Sequence, residues 1–507
     1  MGVCESSINS EKRISRASSM VESKKQIQKQ WSNCSSDILD VKLESSWDHG
    51  SSKEQILSIY NNLGHLGQGY TSMVHKANLK GYSNLLFAIK SIKKTYYTDT
   101  SSKYFKEEVS VLKEVDHPNI VRFFECYEDT TNYHMVLELC EGPDLVNLVE
   151  RTRGLPEDIA KKFFFQAAYA INYLHHAGIT HRDIKLDNFL LTSKNVEKAD
   201  LKLIDFGFAK NFRKNRLASH VGTPWYVAPE ILVKSSSYTS ACDNWSLGVM
   251  LYIMLFAEAP FKGKNNEEIF QQVRSKAVCL DGSKFNHVSP DVKEILRGLL
   301  EKTPSKRLSL HHVLQSRWFN PILIRIHIDW GTKEAKKVIN KFKKSRTLPK
   351  FKQEVLKIMV KIFHENPELK EHQSHFCCCD YLSNGVISPL EIEHLYSVAG
   401  IKPGQGEIEQ VIDSLYLRTD GVVTYSEFLA GVSCKSFFKD RLRLKATFDR
   451  FDIDHSGSIT KDNIIGCFGR FGYEISSDSA KMMISNFDPS NSGTISFDEF
   501  CNQMRKD

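Results

Sequence analysis

His181-Arg182-Asp183-Ile184-Lys185-Leu186-Asp187-Asn188 is followed by Asp205-Phe206-Gly207 and then by Ala228-Pro229-Glu230. Upstream, Leu66-Gly67-Gln68-Gly69-Tyr70-Thr71-Ser72-Met73-Val74 reads as a strand interrupted by glycines, which let backbone amides approach phosphate oxygens closely. Ser72 stands at the third glycine position, so this stretch alone fits a dinucleotide fold or a chance loop equally well. Phe87-Ala88-Ile89-Lys90 is a short strand ending in a cation suited to phosphates, and Glu108 lies on an amphipathic segment from about 101 to 115. A lysine and a glutamate on separate elements can pair and hold the lysine extended; either one alone reads as surface charge.

Taken in order and spacing, these motifs resemble the eukaryotic protein kinases over residues 60–319. Asp243-Asn244-Trp245-Ser246-Leu247-Gly248 belongs to the same pattern, as does Arg307, the expected buried partner of Glu230. The resemblance implies an α+β, bilobal fold and ATP with Mg²⁺ as cofactors. It gives Asp183 the role of orienting the acceptor hydroxyl and Lys185 that of steadying the transferred phosphate, with Asn188 and Asp205 as Mg²⁺ ligands and the Lys90–Glu108 pair completing the set. By the same likeness ATP is held by Leu66, Gly67, Gly69, Val74, Ala88, Lys90 and Asp144, with the adenine edge at the backbone of Glu138 and Cys140 and Leu137 behind it.

Lys185 and the string Gly222-Thr223-Pro224-Trp225-Tyr226 are similar to serine/threonine rather than tyrosine kinases, and Phe208 to the large residue associated with serine preference. Asp144 and Asp187 match acidic positions that meet an arginine upstream of the phosphorylated residue, so protein substrates with basic residues before the acceptor are expected. No acidic residue lies between Gly207 and Ala228 to partner Arg182, which makes Ser219 a candidate phosphosite.

The C-terminal third repeats every 36 residues: Gly385, Gly421, Gly457 and Gly493 are each followed two positions later by Ile387, Val423, Ile459 or Ile495. This resembles the EF-hand, whose 12-residue loop needs glycine at position six and a bidentate acid at twelve. Loops are therefore expected at 380–391, 416–427, 452–463 and 488–499 within an all-α region spanning 366–507. The third offers Asp452, Asp454, Ser456, Ser458, Thr460 and Asn463 to Ca²⁺, although Asn463 replaces the terminal acid. The fourth offers Asp488, Ser490, Ser492, Thr494, Ser496 and Glu499. The first keeps Asp380, Asn384, Ser388 and Glu391 but has Leu382 where an oxygen is needed, and the second has Tyr416 and Arg418 at ligand positions and reads as degenerate.

Residues 320–365 join the two regions, with lysines interleaved among apolar residues from Lys336 to Ile362, a basic amphipathic pattern that suits a calcium-sensor cleft. Kinase, basic junction and four hands in this order are similar to the calcium-dependent protein kinases of plants and protists. That likeness implies a junction that restrains the kinase at low calcium, and hence, in the resting form, a lysine from Lys333 to Lys344 near Asp144 or Asp187. Two other readings stay open: a calcium-insensitive kinase with structural hands, and a membrane-tethered scaffold without catalysis.

Residues 1–55 are rich in serine and bury too little to offset their ordering entropy, so they read as a disordered tail. Met1-Gly2-Val3-Cys4-Glu5-Ser6 matches the myristoylation pattern at Gly2, with Cys4 placed for palmitoylation. One myristoyl chain binds membranes only marginally, so Cys4 matters as the second anchor. The longest apolar run, Leu247 to Ala257, falls short of the ~20 residues that span a bilayer. A cytoplasmic, membrane-associated monomer is expected.

Composition is ordinary, with 41% hydrophobic and 25% charged residues, which excludes collagenous or wholly disordered classes. A net charge of +7 from 68 basic and 61 acidic residues is too small an excess to point to nucleic acid. Twelve scattered cysteines without zinc-like spacing read as reduced thiols, Cys377-Cys378-Cys379 included.

Overall fold

Side chains of a strand alternate between two faces, and that alternation shapes the first lobe. The structure, a computed structural model, describes residues 53–69, 72–94, 98–211, 224–233, 239–320, 330–345, 348–415, 421–433, 435–470 and 475–506. Gly2, Cys4, Ser219, Tyr416 and Arg418 lie outside these spans. Strands β1 (Tyr60–Gln68), β2 (Ser72–Leu79), β3 (Tyr82–Lys93), β4 (Phe123–Glu128) and β5 (Asn132–Glu138) form an antiparallel sheet in the order β1-β2-β3-β5-β4. On β3, Phe87 and Ile89 join an outer cluster with Ile56, Tyr60 and Val136, while Ala88 faces the main core. Helix α1 (Lys53–Ile59) contributes Ile56 to the outer face, and α2 (Thr98–Glu114) buries Phe105, Val109 and Leu112.

The second lobe is helical. Helix α3 (Leu145–Thr152) starts at Asp144, whose side chain accepts from the Asn147 amide. Helix α4 (Glu157–His176) carries Glu157 and Asp158 in its first turn, favourable at the positive end of the dipole, and buries residues on nearly every face. It packs against α5 (Ala241–Phe256), which is buried on nearly every face. The family of smaller helices includes α6 (Asn266–Ser275), α7 (Pro290–Leu299) and α8 (Leu310–Leu314). Arg307 and Glu230 form the expected pair, with Nη1–Oε1 at 2.7 Å and Nη2–Oε2 at 2.9 Å.

Beyond the lobes come α9 (Thr332–Ser345) and α10 (Lys350–Ile362), then the hands: α11 (Pro367–Cys379), α12 (Pro389–Val398), α13 (Glu407–Leu415), α14 (Tyr425–Val432), α15 (Lys435–Lys439), α16 (Arg441–Phe451), α17 (Lys461–Arg470), α18 (Ser477–Ser485) and α19 (Phe497–Arg505). The loops pair two by two, through an Ile387–Val423 bridge and a short ladder joining Ser458 to Ser496 and Ile459 to Ile495. The residue two positions after each repeated glycine is thus the one that ties its hand to its neighbour.

Helix α9 buries Ala335, Val338, Ile339 and Phe342, one helical stripe, against α12, α13 and α14. Helix α10 bridges both pairs, packing on α14 and α16, with the Phe351 ring against Phe451 and Phe487. In this structure lysines of α9 lie against the first pair of hands. Lys343 pairs with Glu407 at 2.6 Å, Lys337 with Glu334 at 2.7 Å, and Lys341 lies 3.3 Å from His372. The apolar stripe decides this: once it is buried in the first pair of hands, the lysines follow it to the surface of those hands. Cys378 and Cys379 are buried and Cys377 half-buried, as ordinary thiols.

Candidate functional site

The cleft between the lobes gathers the polar residues of the motifs. Lys90 on β3 places its ammonium 2.8 Å from Glu108 on α2 and 3.4 Å from Asp205. Burial pushes the Lys90 ammonium toward neutrality, but the two carboxylates more than offset this and raise its pKa, so it stays charged. Asp205, which Lys90 and the Gly207 amide (3.1 Å) both stabilise as an anion, is held below the usual carboxylate range despite its burial.

Opposite lies the Asp183 loop. Lys185 Nζ sits 2.8 Å from Asp183 Oδ2, and the Asn188 amide nitrogen donates to the Asp183 carbonyl at 2.7 Å and to its carboxylate at 3.1 Å. Asp243, fully buried at the start of α5, accepts from the amides of His181 (2.9 Å) and Arg182 (2.8 Å) and from His175 (2.9 Å). These bonds hold the loop while Arg182 takes φ +69°, a conformation uncommon outside glycine. His181 Nε2 bonds the Asp205 carbonyl at 2.5 Å, so the two catalytic motifs are joined through one imidazole.

The residues expected at the nucleotide lie on or just after β1, on β2, β3 and β5, and in the segment that follows β5. Val74 pairs with Lys90 across β2 and β3, and Ala88 with Leu137 across β3 and β5. Leu66 is half exposed at the rim, and the Gly69 amide donates to the Ser72 carbonyl at 2.8 Å. A Cβ on Gly69 would meet Ser72 Oγ at 2.8 Å, so serine at the third position folds back onto the second glycine. The Glu138 side chain turns away from the cleft to Lys202, at 2.7 Å, beside His364 and Glu365. Those three ligand-type groups converge, but the Lys202 ammonium already neutralises Glu138. Asp144 is spent as the cap of α3, and Asp187 is exposed nearby.

Asp205 and Asn188 fit Mg²⁺: one is an anionic oxygen donor, and the other spends its nitrogen on Asp183, leaving its carbonyl oxygen as the ligand. The C-terminal loops fit Ca²⁺ in chemistry and backbone. Asp452 accepts from the amides of Ser456 and Gly457, each at 2.9 Å, and Asp488 from Gly493 at 2.7 Å. Gly457 and Gly493 adopt φ +84° and +79°, the sharp turn position six demands. Asn463 accepts the Thr460 amide and Glu499 the Ser496 amide, closing each loop onto its following helix.

Sequence reasoning missed a second set of contacts, between hands and kinase. Arg450, two residues before Asp452, reaches Glu125 on β4 at 2.5 Å and the Tyr60 hydroxyl at 2.7 Å, while that hydroxyl also donates to Glu125. Beside it the Tyr82 hydroxyl donates to Asp449 at 2.7 Å. No motif marks these residues.

Residues 60–319 match the model of the protein kinase domain, and residues 441–505 that of the EF-hand domain pair. Calcium-dependent protein kinase 5 of Plasmodium falciparum (isolate 3D7) is 33% identical over 409 residues, covering 79% of this chain and 70% of that protein. Its Plasmodium berghei (strain Anka) namesake is 32% identical, with the same coverage. The chain belongs to the calcium-dependent protein kinase family. Calcium-dependent protein kinase 4 of P. berghei adds a match at 29% identity over 83% of the chain and 81% of that protein. As a member of this family the chain is a calcium-regulated serine/threonine protein kinase that uses ATP, Mg²⁺ and Ca²⁺. No described helix is long and apolar enough to cross a membrane.

Proposed function

We propose that this kinase phosphorylates serine in preference to threonine, downstream of arginine, with Asp183 as the hydroxyl-orienting base and Lys185 as the phosphate contact. The observation that carries the reading is the Lys90 ammonium lying between Glu108 and Asp205. Held there, Lys90 meets the α- and β-phosphates with its charge intact, and no reorganisation is needed as the transition state forms. The acceptor hydroxyl gives its proton to Asp183, which Asn188 fixes in place. Mg²⁺, held by Asn188 and Asp205, supplies neutralisation of the phosphate charge. Phe208 is 44% exposed at the edge of this cleft, available to a substrate residue beside the acceptor.

Calcium control in this reading runs through the second pair of hands. Loops 452–463 and 488–499 take the ion, and α16 then presents Arg450 to Glu125 and Tyr60 while α10 is gripped at Phe351. Loss of calcium releases both contacts and with them the support of the sheet that carries Lys90. Myristate on Gly2 and palmitate on Cys4 attach the protein to a cytoplasm-facing membrane, and phosphate on Ser219 adds an anion to residues 208–227, whose sequence contains no acidic side chain. The test is peptide phosphorylation by the full chain, with arginine placed before serine or threonine, in calcium and in EGTA. Equal rates on peptides with and without the arginine would refute the substrate reading.

A further inference from the structure

A calcium loop works only if its oxygens can turn lone pairs toward the ion, so donors that reach those oxygens from outside the loop compete with it. Two such donors enter the first hand from the kinase. The Tyr169 hydroxyl on α4 donates to Asp380 Oδ2 at 2.5 Å, and Asn172 Nδ2 donates to the Ser383 carbonyl at 2.6 Å. Asp380 also accepts from the amides of Asn384 (3.0 Å) and Gly385 (2.6 Å), as Asp452 does from Ser456 and Gly457, so the donors from the kinase are what set this loop apart. At the far end of the loop Glu391 accepts from Ser388 at 2.8 Å, as Glu499 does from Ser496, and in addition from the Leu382 amide at 3.2 Å. Where Leu382 lacks a ligand oxygen, its backbone N–H therefore seals the acid that would have closed the site.

The fit is also steric. A Cβ on Gly385 would stand 2.5 Å from the Tyr173 ring and 2.9 Å from His117, whereas Gly421, Gly457 and Gly493 have nothing within 4 Å. The second hand joins in: Ser426 donates through both its amide and its hydroxyl to Asp116 at 2.8 Å, and Glu427 pairs with Lys357 of α10 at 3.2 Å. The acids that end the first two loops are thus committed to protein groups.

We propose that loop 380–391 is a docking site for the kinase helix Glu157–His176 in place of a calcium site, so that the first pair of hands is a permanent anchor on the kinase. This rests on the reading that loops 452–463 and 488–499 are the calcium loops. An anchored first pair keeps the second pair tethered near β4 at high effective concentration, and the ion has only to close Arg450 onto Glu125.

Hydrogen exchange on the full chain, in calcium and in EGTA, tests the anchor with two glycine substitutions. Gly385→Ala and Gly421→Ala impose the same backbone strain, since φ is +78° and +71°, but only the first meets the kinase. Wild type and Gly421→Ala are expected to keep 380–391 and 169–173 protected in both media, while Gly385→Ala exchanges there at least tenfold faster. If Gly385→Ala does not fold, Tyr169→Phe gives the narrower test, with faster exchange at 380–385. Loss of protection at 380–391 in wild type when calcium is removed would overturn the proposal. Calcium titration of the full chain is expected to give two ions, unchanged by Asp380→Asn; a third ion lost in that variant would also overturn it. Zero ions with loop 380–391 still protected would support the dock and refute the calcium reading instead.

Discussion

At the residue scale the account stands on charges whose partners are fixed. Asp183→Asn keeps the shape of the loop and removes the proton acceptor, so kcat is expected to fall roughly 10²- to 10⁴-fold with the KM for ATP little changed. Steady-state peptide kinetics measures both. Glu138 allows a pH test. Burial raises its pKa, but Lys202 leads the charges that bring it down to about 2. A depressed carboxylate contributes stability above its ordinary value of about 4.5 and loses it as pH falls toward 2. Denaturant unfolding from pH 6 to pH 3 should therefore fall more steeply for wild type than for Glu138→Gln; parallel slopes would contradict the pairing. Sequence made the Lys90–Glu108 and Glu230–Arg307 pairs legible because each belongs to a spaced motif. Arg450 was illegible: an arginine before a calcium loop looks like any solvated charge, and only the docked sheet supplies Tyr60 and Glu125.

At the element scale the helices were readable and their destinations were not. The 36-residue repeat singled out Ile387, Val423, Ile459 and Ile495, the residues through which the structure joins one hand to the next. The lysine-rich sequence of α9 announced amphipathy without saying which cleft would take its apolar stripe, and in this structure that stripe is buried in the first pair of hands. Phe342, fully buried there against Phe428, carries much of that packing. Phe342→Ala is expected to cost roughly 3–5 kcal/mol of stability, read by thermal unfolding. Asn463 offers a second prediction. In place of a bidentate acid it gives one oxygen and no charge, so Asn463→Glu should tighten calcium binding about tenfold, a gain near 1.4 kcal/mol. Titration calorimetry would show an unchanged ion count with a lower Kd for one site.

At the scale of the whole molecule, two contacts between regions have different tasks. Loop 380–391 on α4 holds the hands to the second lobe, and Arg450 holds them to the first. Removing Arg450 leaves Glu125, 5% exposed, without the guanidinium that pairs with it at 2.5 Å. Arg450→Ala is expected to cost roughly 3–5 kcal/mol at that interface, and to make calcium-stimulated activity fall toward the EGTA level while calcium binding to loops 452–463 and 488–499 persists. Unchanged stimulation in that variant would remove the brace from the account. The kinase half of the architecture was plain in the sequence because phosphoryl transfer demands those residues at those spacings. The way the hands sit on it was not, because docking surfaces are assembled from positions hundreds of residues apart. The most direct measurement is phosphate transfer to an arginine-containing serine peptide by the full chain in saturating calcium and in EGTA, beside Asp205→Ala. Calcium is expected to raise the rate roughly 5- to 150-fold, the range of a 1–3 kcal/mol coupling, with the Asp205→Ala protein silent in both. Equal rates in calcium and EGTA, or no labelling with every cofactor present, would contradict it.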